Sequence, residues 1–213
     1  RGTELTVAAG EDGSSLFVVQ SGEVEVEAEG QTVLLGPEEG VEVRPGEVPG
    51  EKFEVKRGQL DYSNWRQERR TAFIDDPVAA ARGLERRFDG FVEQINQIAP
   101  VYEELTRKLE EEREKLNKIG EEQGQEARVK YYKEVVQPIE GDTFNTYITL
   151  RYYAKTAFSI RRFVLGRMYL TVKTSYLGDL ENSGFTEFES IHDAILQKFN
   201  TEVLPHLTDA DLM

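Results

Sequence analysis

The chain contains no cysteine and only two histidines among its 213 residues. Without cysteine it forms no disulfide and performs no thiol chemistry, which suits a cytoplasm and a bacterial periplasm equally well. The histidines, His192 and His206, have no cysteine, histidine or glutamate around them at the spacing of metal ligands. We therefore predict no metal site, and we interpret His192 as a packed or surface side chain of a helix.

Positive charge is also scarce, because 26 basic residues face 40 acidic ones and the net charge is −14 at pH 7. Nucleic acids and anionic membranes carry negative charge themselves, so we predict that neither is a partner. No run of about 18 apolar residues occurs, so we predict no membrane-spanning segment. No signal peptide is recognisable in the sequence either.

Catalytic motifs are absent as well: the sequence has no Gly-x-Ser-x-Gly elbow, no phosphate-binding Walker loop and no His-Glu-x-x-His. The carboxylates of Glu38-Glu39 and of Asp75-Asp76 are adjacent in sequence, so the two side chains of each pair tend to point apart. An acid–base pair must instead face across a cleft. We predict a protein that is not an enzyme, with no catalytic residue and no cofactor. A hydrolase whose carboxylates meet only in the fold ranks lowest among the alternatives.

What the sequence does contain begins with a β-rich region, residues 1–57. Short β-branched runs alternate with glycine turns, and Glu23–Glu27 alternates strictly between glutamate and valine. This pattern predicts an antiparallel, sandwich-like meander with Val24 and Val26 facing inward. The glutamates at 23, 25, 27 and 29 could be read as calcium ligands, but carboxylates in a row on a strand do not converge. We favour a solvated strand face.

The same region resembles a known family. Residues 1–7 read Arg-Gly-Thr-Glu-Leu-Thr-Val, residues 18–26 contain Gly-Glu-Val-Glu-Val, and residues 35–41 form a leucine-glycine turn. In this order the segments resemble the C-terminal half of the FecR domain. Members of that family are envelope sensors that relay the state of an outer-membrane receptor to a sigma factor, and their FecR domain is periplasmic and not enzymatic.

The resemblance covers about a quarter of the chain, and the upstream strands, the membrane anchor and the sigma-contacting segment of the family do not match. What it implies is therefore narrower: a protein-interaction module of the periplasm or cell envelope, with an exposed edge strand. The opening Arg1-Gly2-Thr3 reads like the interior of a longer protein, so we expect a fragment whose targeting segment lies elsewhere.

Residues 58–76 join this module to the helices. Ser63 or Asn64 is predicted to cap a short helix that contains the single tryptophan, Trp65, next to Tyr62. Trp65 with Tyr62 could anchor a partner, since tryptophan is frequent in interface hot spots. The alternative, which we favour, is that Trp65 wedges the β module against the helices.

Residues 77–213 are predicted to form an α-helical bundle. Asp75-Asp76-Pro77 is a typical helix start. A kink or break is predicted near Ile98-Ala99, ahead of Pro100. It is followed by a charged helical hairpin with its apolar stripe at Val101, Leu105 and Leu109 and its tip at 120–124. Pro138 and Gly141 are predicted to end the next helix, unless the helical pattern resumes through a kink. Asp142 then caps a long helix to Leu177, and a last helix covers 185–204.

The long helix carries a basic stripe. At about 100° per residue, its members fall within about 40° of one another; they are Arg151, Lys155, Arg162 and Lys173. Such a stripe could bind phosphate or nucleic acid. In so acidic a chain we favour pairing within the protein or with a protein partner.

Together these patterns predict an α+β protein: a sandwich-like antiparallel meander followed by a helical bundle with a long hairpin. The leading functional interpretation is a non-enzymatic, extracytoplasmic FecR-like module that binds a protein partner in envelope sensing or scaffolding. The alternative is a structural protein that self-associates through the helical hairpin. The partner-binding candidates are Trp65, Tyr62, Arg151, Lys155, Arg162 and Lys173.

Overall fold

The computed structural model describes residues 2–207, in which strands come first and helices follow, so the predicted α+β class is confirmed. The chain divides into two compact units, each made of two segments: unit 1 is Arg1–Asp89 with Ile160–Gln197, and unit 2 is Gly90–Ser159 with Lys198–Met213. The predicted boundaries after residues 57 and 76 separate regions of sequence and stay a prediction. Arg1 of the FecR-like opening and residues 208–213 of the predicted bundle lie outside the described residues.

The strands of unit 1 form two antiparallel sheets. Their bounds are β1 Glu4–Ala9, β2 Ser15–Ser21, β3 Val24–Ala28, β4 Gln31–Leu35, β5 Glu39–Val43 and β6 Phe53–Glu54. One sheet has the order β1-β2-β5-β6, and the other is the β3-β4 hairpin. Strand β1 pairs only with β2 among the described strands, so it stands at an edge of its sheet, as the resemblance implied.

The β3-β4 hairpin shows why the meander could be predicted. Its two turn residues, Glu29 and Gly30, both have positive φ, 48° and 73°, which matches the twist of paired strands. Val26 of this hairpin is buried in the core that it forms with β2 and β5, while all four glutamates at 23, 25, 27 and 29 are exposed. The alternation predicted from sequence, valine inward and glutamate outward, is confirmed.

The helices account for most of residues 62–206. Their bounds are α1 Tyr62–Asp75, α2 Pro77–Gln123, α3 Gln125–Tyr131, α4 Gln137–Phe163, α5 Tyr169–Ser175 and α6 Ser183–Lys198. The described residues also contain three π-helical turns, at Tyr132–Val136, Val164–Met168 and Phe199–Val203, and a 3₁₀ turn at Leu204–His206. No helix within residues 2–207 is long and apolar enough to cross a membrane.

Carboxylates cap the first two helices. The Asp61 side chain accepts hydrogen bonds from the backbone N–H groups of Ser63 and Asn64, so the predicted cap at Ser63 or Asn64 is wrong by two or three residues. An aspartate is the stronger choice here because its charge also interacts favourably with the helix dipole. The predicted start of α2 is confirmed, since Asp76 accepts from the Ala79 N–H at 3.0 Å.

The chain stays helical at two places where the sequence predicted a kink or a break. Helix α2 runs through Pro100, whose side chain is exposed, so the ring costs one backbone hydrogen bond without ending the helix. Pro138 and Gly141 both lie inside α4. Pro138 lies two residues after the end of the π turn Tyr132–Val136, in which the Gln137 N–H bonds to the Tyr132 carbonyl five positions back.

Candidate functional site

An exposed apolar face on α4, in unit 2, is the strongest candidate for a functional surface. Phe144, Ile148 and Tyr152 are 62%, 45% and 61% exposed, and they follow one another at four-residue steps. In an α-helix each such step advances the side chain by only about 40° around the axis. The three side chains therefore form one stripe, which we call the α4 face. Large apolar side chains grouped in this way mark interaction sites more often than isolated ones do.

A groove borders the α4 face on one side. It has a volume of about 420 Å³ and runs between α2 and α4, lined by Tyr102, Leu109, Arg113, Glu140, Thr143, Phe144 and Tyr147. The rings of Tyr102 and Tyr147 lie 5.8 Å apart within it. Phe144 belongs both to the groove and to the α4 face, so the two form one continuous apolar surface.

One end of the groove is closed by an ion-pair network. Arg113 donates to Glu140 at 2.7 Å, and the Tyr132 hydroxyl donates to the other carboxylate oxygen at 2.9 Å. The Arg113 guanidinium first, and the Tyr132 hydroxyl second, hold the pKa of Glu140 below its ordinary value, and Glu140 raises the pKa of Tyr132. Glu140 is therefore ionised at neutral pH. An ionised carboxylate suits a stabilising ion pair, whereas a general acid must be protonated.

Beneath the groove, a small core holds the two arms of the hairpin together. Leu109 and Leu116 of α2 are buried against Val136 and Ile139 of the returning helix. The Tyr131 hydroxyl also donates to Glu112 across the hairpin. The predicted hairpin and its tip at Gly124 are thus present, but Leu109 serves its interior and is not free for a partner.

Trp65 and Tyr62 lie in unit 1, inside the β module. Trp65 is 8% exposed and packs with Ala8, Leu16 and Val18, and Tyr62 packs partly buried against the same cluster. The Trp65 indole N–H donates to Glu42 at 2.9 Å. A side chain so buried cannot anchor a partner without opening the module, so the structure supports the wedge and not the docking anchor.

Glu42 links the module to α1, because it accepts from Trp65, from Arg44 at 3.0 Å and from Arg69 at 3.1 Å. Burial by itself raises the pKa of Glu42, but these hydrogen bonds and the charge of Arg69 outweigh it and hold the pKa below the ordinary value of 4.5. A carboxylate with a lowered folded-state pKa contributes stability above its unfolded-state pKa, and this contribution disappears as pH falls through the folded-state pKa.

We therefore expect Glu42→Gln to lower the free energy of unfolding of unit 1 by about 1–2 kcal/mol at pH 7, since two charge-assisted hydrogen bonds are lost. The difference from the parent protein should begin to shrink as pH falls below about 4.5 and should vanish once pH is below the folded-state pKa of Glu42. Denaturant unfolding followed by Trp65 fluorescence measures this directly, because Trp65 is the single tryptophan. Glu25→Gln, on the exposed strand face, is the control, and an equal loss in both variants would contradict the assignment.

Lys173 departs from the predicted basic stripe, whereas Arg151, Lys155 and Arg162 all belong to α4. Arg151 and Lys155 belong to unit 2, and both have partners within the protein. Arg162 and Lys173 belong to unit 1, and Lys173 lies over the Tyr169 ring, its Nζ 5.3 Å from the centroid. Between them the π turn Val164–Met168 adds a residue, which rotates Lys173 by about 100° away from the face on which Arg162 lies.

A second concave site lies in unit 1. This cleft of about 250 Å³ is lined by charges of both signs, namely Asp12, Arg44, Glu47, Arg69, Asp76 and Arg86. Two of its carboxylates have local tasks, because Asp12 accepts from the backbone and hydroxyl of Ser14 and Asp76 caps α2. Within residues 2–207 no group of histidine, aspartate and glutamate side chains is arranged to hold a metal ion.

Sequence reasoning did not select Phe144, Ile148 or Tyr152 as candidate site residues. The sequence did contain a signal for this surface. Apolar residues recur at 144, 148 and 152 on a helix face different from that of the buried Leu150, Ala154 and Ala157. No protein-family model, curated protein or solved structure matches the chain. The resemblance to FecR domains thus rests on the N-terminal sequence segments.

Proposed function

We propose that this chain is a non-enzymatic, FecR-like protein-interaction module that works in the cell envelope, in sensing or in scaffolding. Two kinds of observation support the proposal. The N-terminal segments that resemble the FecR domain fold into an antiparallel meander with an edge strand. The helices add a surface that an isolated meander lacks.

The observation that carries the proposal is the α4 face. Phe144 and Tyr152 are each about three-fifths exposed, and the Tyr152 ring meets the edge of the Tyr153 ring at 5.3 Å. Aromatic side chains are enriched in protein interfaces, where they contribute large contact areas at low entropic cost. A protein that keeps two of them exposed to water about two turns apart on one helix has a surface suited to a protein partner.

The hydrolase alternative receives less support. The carboxylates of the charged cleft either bond to neighbouring backbone groups or stand among arginines, and Glu140 of the groove is held ionised by Arg113. The lowered pKa of Glu140 is the opposite of the raised carboxyl pKa that general acid catalysis needs.

Site-specific photocrosslinking tests the proposal. The photoreactive side chain benzoylphenylalanine replaces Tyr152 on the α4 face, and in a matched variant it replaces Asn117, an exposed residue of α2. Irradiation in cell-envelope extracts should give a discrete product from position 152 and none from position 117. Equal products from both positions, no product from either, or fractionation of the natural protein away from the envelope would overturn the proposal.

The second candidate function is self-association through the helices, and the exposure of the residues on the predicted stripe bears on it. The stripe from which it was predicted is divided, because Leu109 is buried inside the hairpin while Val101 is 52% exposed. An exposed apolar surface that this second candidate can use is the α4 face.

A further inference from the structure

We propose that the charged cleft of unit 1 binds a small zwitterion, an α-amino acid with an apolar side chain. The inference goes beyond the proposed interaction function, because every residue that lines the cleft belongs to unit 1 and the α4 face belongs to unit 2. The two proposals are therefore tested by different experiments, and either one can fail while the other stands.

Small side chains on two helices leave the space for a ligand. Residues 69, 72, 73 and 76 follow one face of α1 and its C-cap, and residues 79, 80, 83 and 86 follow one face of α2. Steps of three and four residues bring side chains to the same side of a helix. Half of these positions are alanine or glycine, namely Ala72, Ala79, Ala80 and Gly83, so a cleft of about 250 Å³ stays open beside them.

The β-turn Arg44–Glu47 forms a third wall of the cleft. The Glu47 N–H donates to the Arg44 carbonyl at 3.2 Å, and Gly46 has the positive φ, 66°, that such a turn permits. A Cβ added at Gly83 would lie 2.5 Å from the Pro45 carbonyl oxygen, so the turn packs directly on α2. Arg44 and Glu47 are the first and last residues of this turn, and a guanidinium and a carboxylate thus border the cleft from one wall.

The cleft has hydrogen-bond donors that no group within residues 2–207 uses. Arg44 donates through Nε to Glu42 at 3.0 Å, and Arg69 donates through Nη1 to the same carboxylate at 3.1 Å. The exposed Arg86 makes no hydrogen bond or ion pair in this part of the chain. A guanidinium binds a carboxylate through two parallel N–H groups. Arg86, helped by the remaining N–H groups of Arg44, is therefore suited to hold the carboxylate of a ligand.

The cleft also has a carboxylate without a hydrogen-bond donor. Asp12 already accepts from Ser14, and Asp76 caps α2. The exposed Glu47 carboxylate forms no hydrogen bond or ion pair with a residue between 2 and 207, and it acts on Arg44 only by its charge at longer range. The ammonium group of a ligand can donate to Glu47 without displacing a protein contact.

The balance of charge favours a zwitterion over a simple ion. Three arginines and three carboxylates line the cleft, so the lining has no net charge, and the whole chain carries −14. An anion alone is attracted by the arginines and repelled by the carboxylates, and the reverse holds for a cation alone. A ligand with both charges interacts favourably with both sets. Phe73, Pro45 and Ala80 supply apolar lining for its side chain.

Isothermal titration calorimetry with L-leucine tests the site. The parent protein should bind L-leucine with a Kd below about 1 mM. Leucinamide lacks the carboxylate and N-acetyl-leucine lacks the ammonium group. Each should bind at least about tenfold more weakly, because one charge-assisted contact is lost. Inorganic phosphate, the probe for a simple anion site, should also bind more weakly than L-leucine.

Two variants assign the two charges of the ligand. Arg86→Ala should weaken L-leucine binding at least about tenfold and should largely lose the preference for leucine over leucinamide. Glu47→Gln should weaken binding similarly, but it should lose the preference for leucine over N-acetyl-leucine. The matched controls are Arg66→Ala and Glu51→Gln, which change exposed residues of unit 1 outside the cleft and should bind like the parent protein.

A third variant fills the cleft and removes no charge. Ala79 is exposed on the lining, so Ala79→Leu should leave unit 1 folded and should weaken L-leucine binding at least about tenfold by occupying its space. Fluorescence of Trp65 checks that unit 1 is folded in every variant.

Three results would overturn the amino-acid site. The first is no binding of L-leucine up to about 10 mM. The second is binding of leucinamide, N-acetyl-leucine or phosphate that is as tight as that of L-leucine. The third is equal L-leucine binding by the parent protein and the Arg86→Ala and Ala79→Leu variants. None of these results involves the α4 face, so the proposed function would stand.

Discussion

Replacing Leu109 with alanine is expected to lower the free energy of unfolding of unit 2 by about 2–5 kcal/mol. Leu109 is 8% exposed and packs with Leu116, Val136 and Ile139 in the core that joins the two arms of the hairpin. Alanine removes most of these contacts and leaves a cavity, because helices fixed by the tip at Gly124 cannot fully close around it.

Val101→Ala is the matched control, since Val101 belongs to the same sequence stripe on α2 but is 52% exposed. It should change stability by less than about 0.5 kcal/mol. Far-UV circular dichroism in denaturant follows the helices, whereas fluorescence of Trp65 follows unit 1. Equal destabilisation by the two variants, or loss of the Trp65 transition before the helical one in Leu109→Ala, would contradict the assignment.

Gly83→Ala and Gly90→Ala should have effects of opposite sign, although both glycines lie inside α2. An alanine Cβ at Gly83 would approach the backbone carbonyl oxygen of Pro45 to 2.5 Å, so the loop before β6 would have to move away from the helix. We expect a net loss of about 1–3 kcal/mol in the stability of unit 1.

At Gly90 the added methyl group meets nothing within 4 Å. There the usual gain of alanine over glycine in a helix applies, about 0.5–1 kcal/mol. Thermal unfolding of the two variants beside the parent protein makes the comparison. A stabilised Gly83→Ala variant would show that the loop yields without cost and would refute the close packing of Pro45 on α2.

The meander could be predicted because its information is local. Alternation at Val24 and Val26 fixes which face is buried, and Gly30 permits the turn that fixes the register of β3 and β4. The helix start at Asp76 and the hairpin tip at Gly124 follow from short signals in the same way. The two-sheet arrangement could not be predicted, because it depends on contacts between distant strands, as between β2 and β5.

The helix continues through Pro100 and Pro138 for a related reason. Local preference disfavours proline in a helix, but packing along the hairpin outweighs one lost hydrogen bond.

The candidate site depends on exposure. Trp65 was named as a possible anchor because of its residue type, and its burial agrees with the favoured wedge interpretation. Phe144 and Ile148 have ordinary residue types, and only exposure singles them out.

The π turn Val164–Met168 has a consequence for chain length. Ile160, Val164, Met168 and Val172 are all buried, at steps of four residues. In an unbroken α-helix such steps would drift by about 40° each and carry Val172 away from the core. The turn absorbs the drift with one surplus residue. Deleting one residue within 164–168 should therefore convert the π turn into regular α-helix. Met168 and Val172 should stay on the buried face, so this is the least disruptive place to shorten the helix.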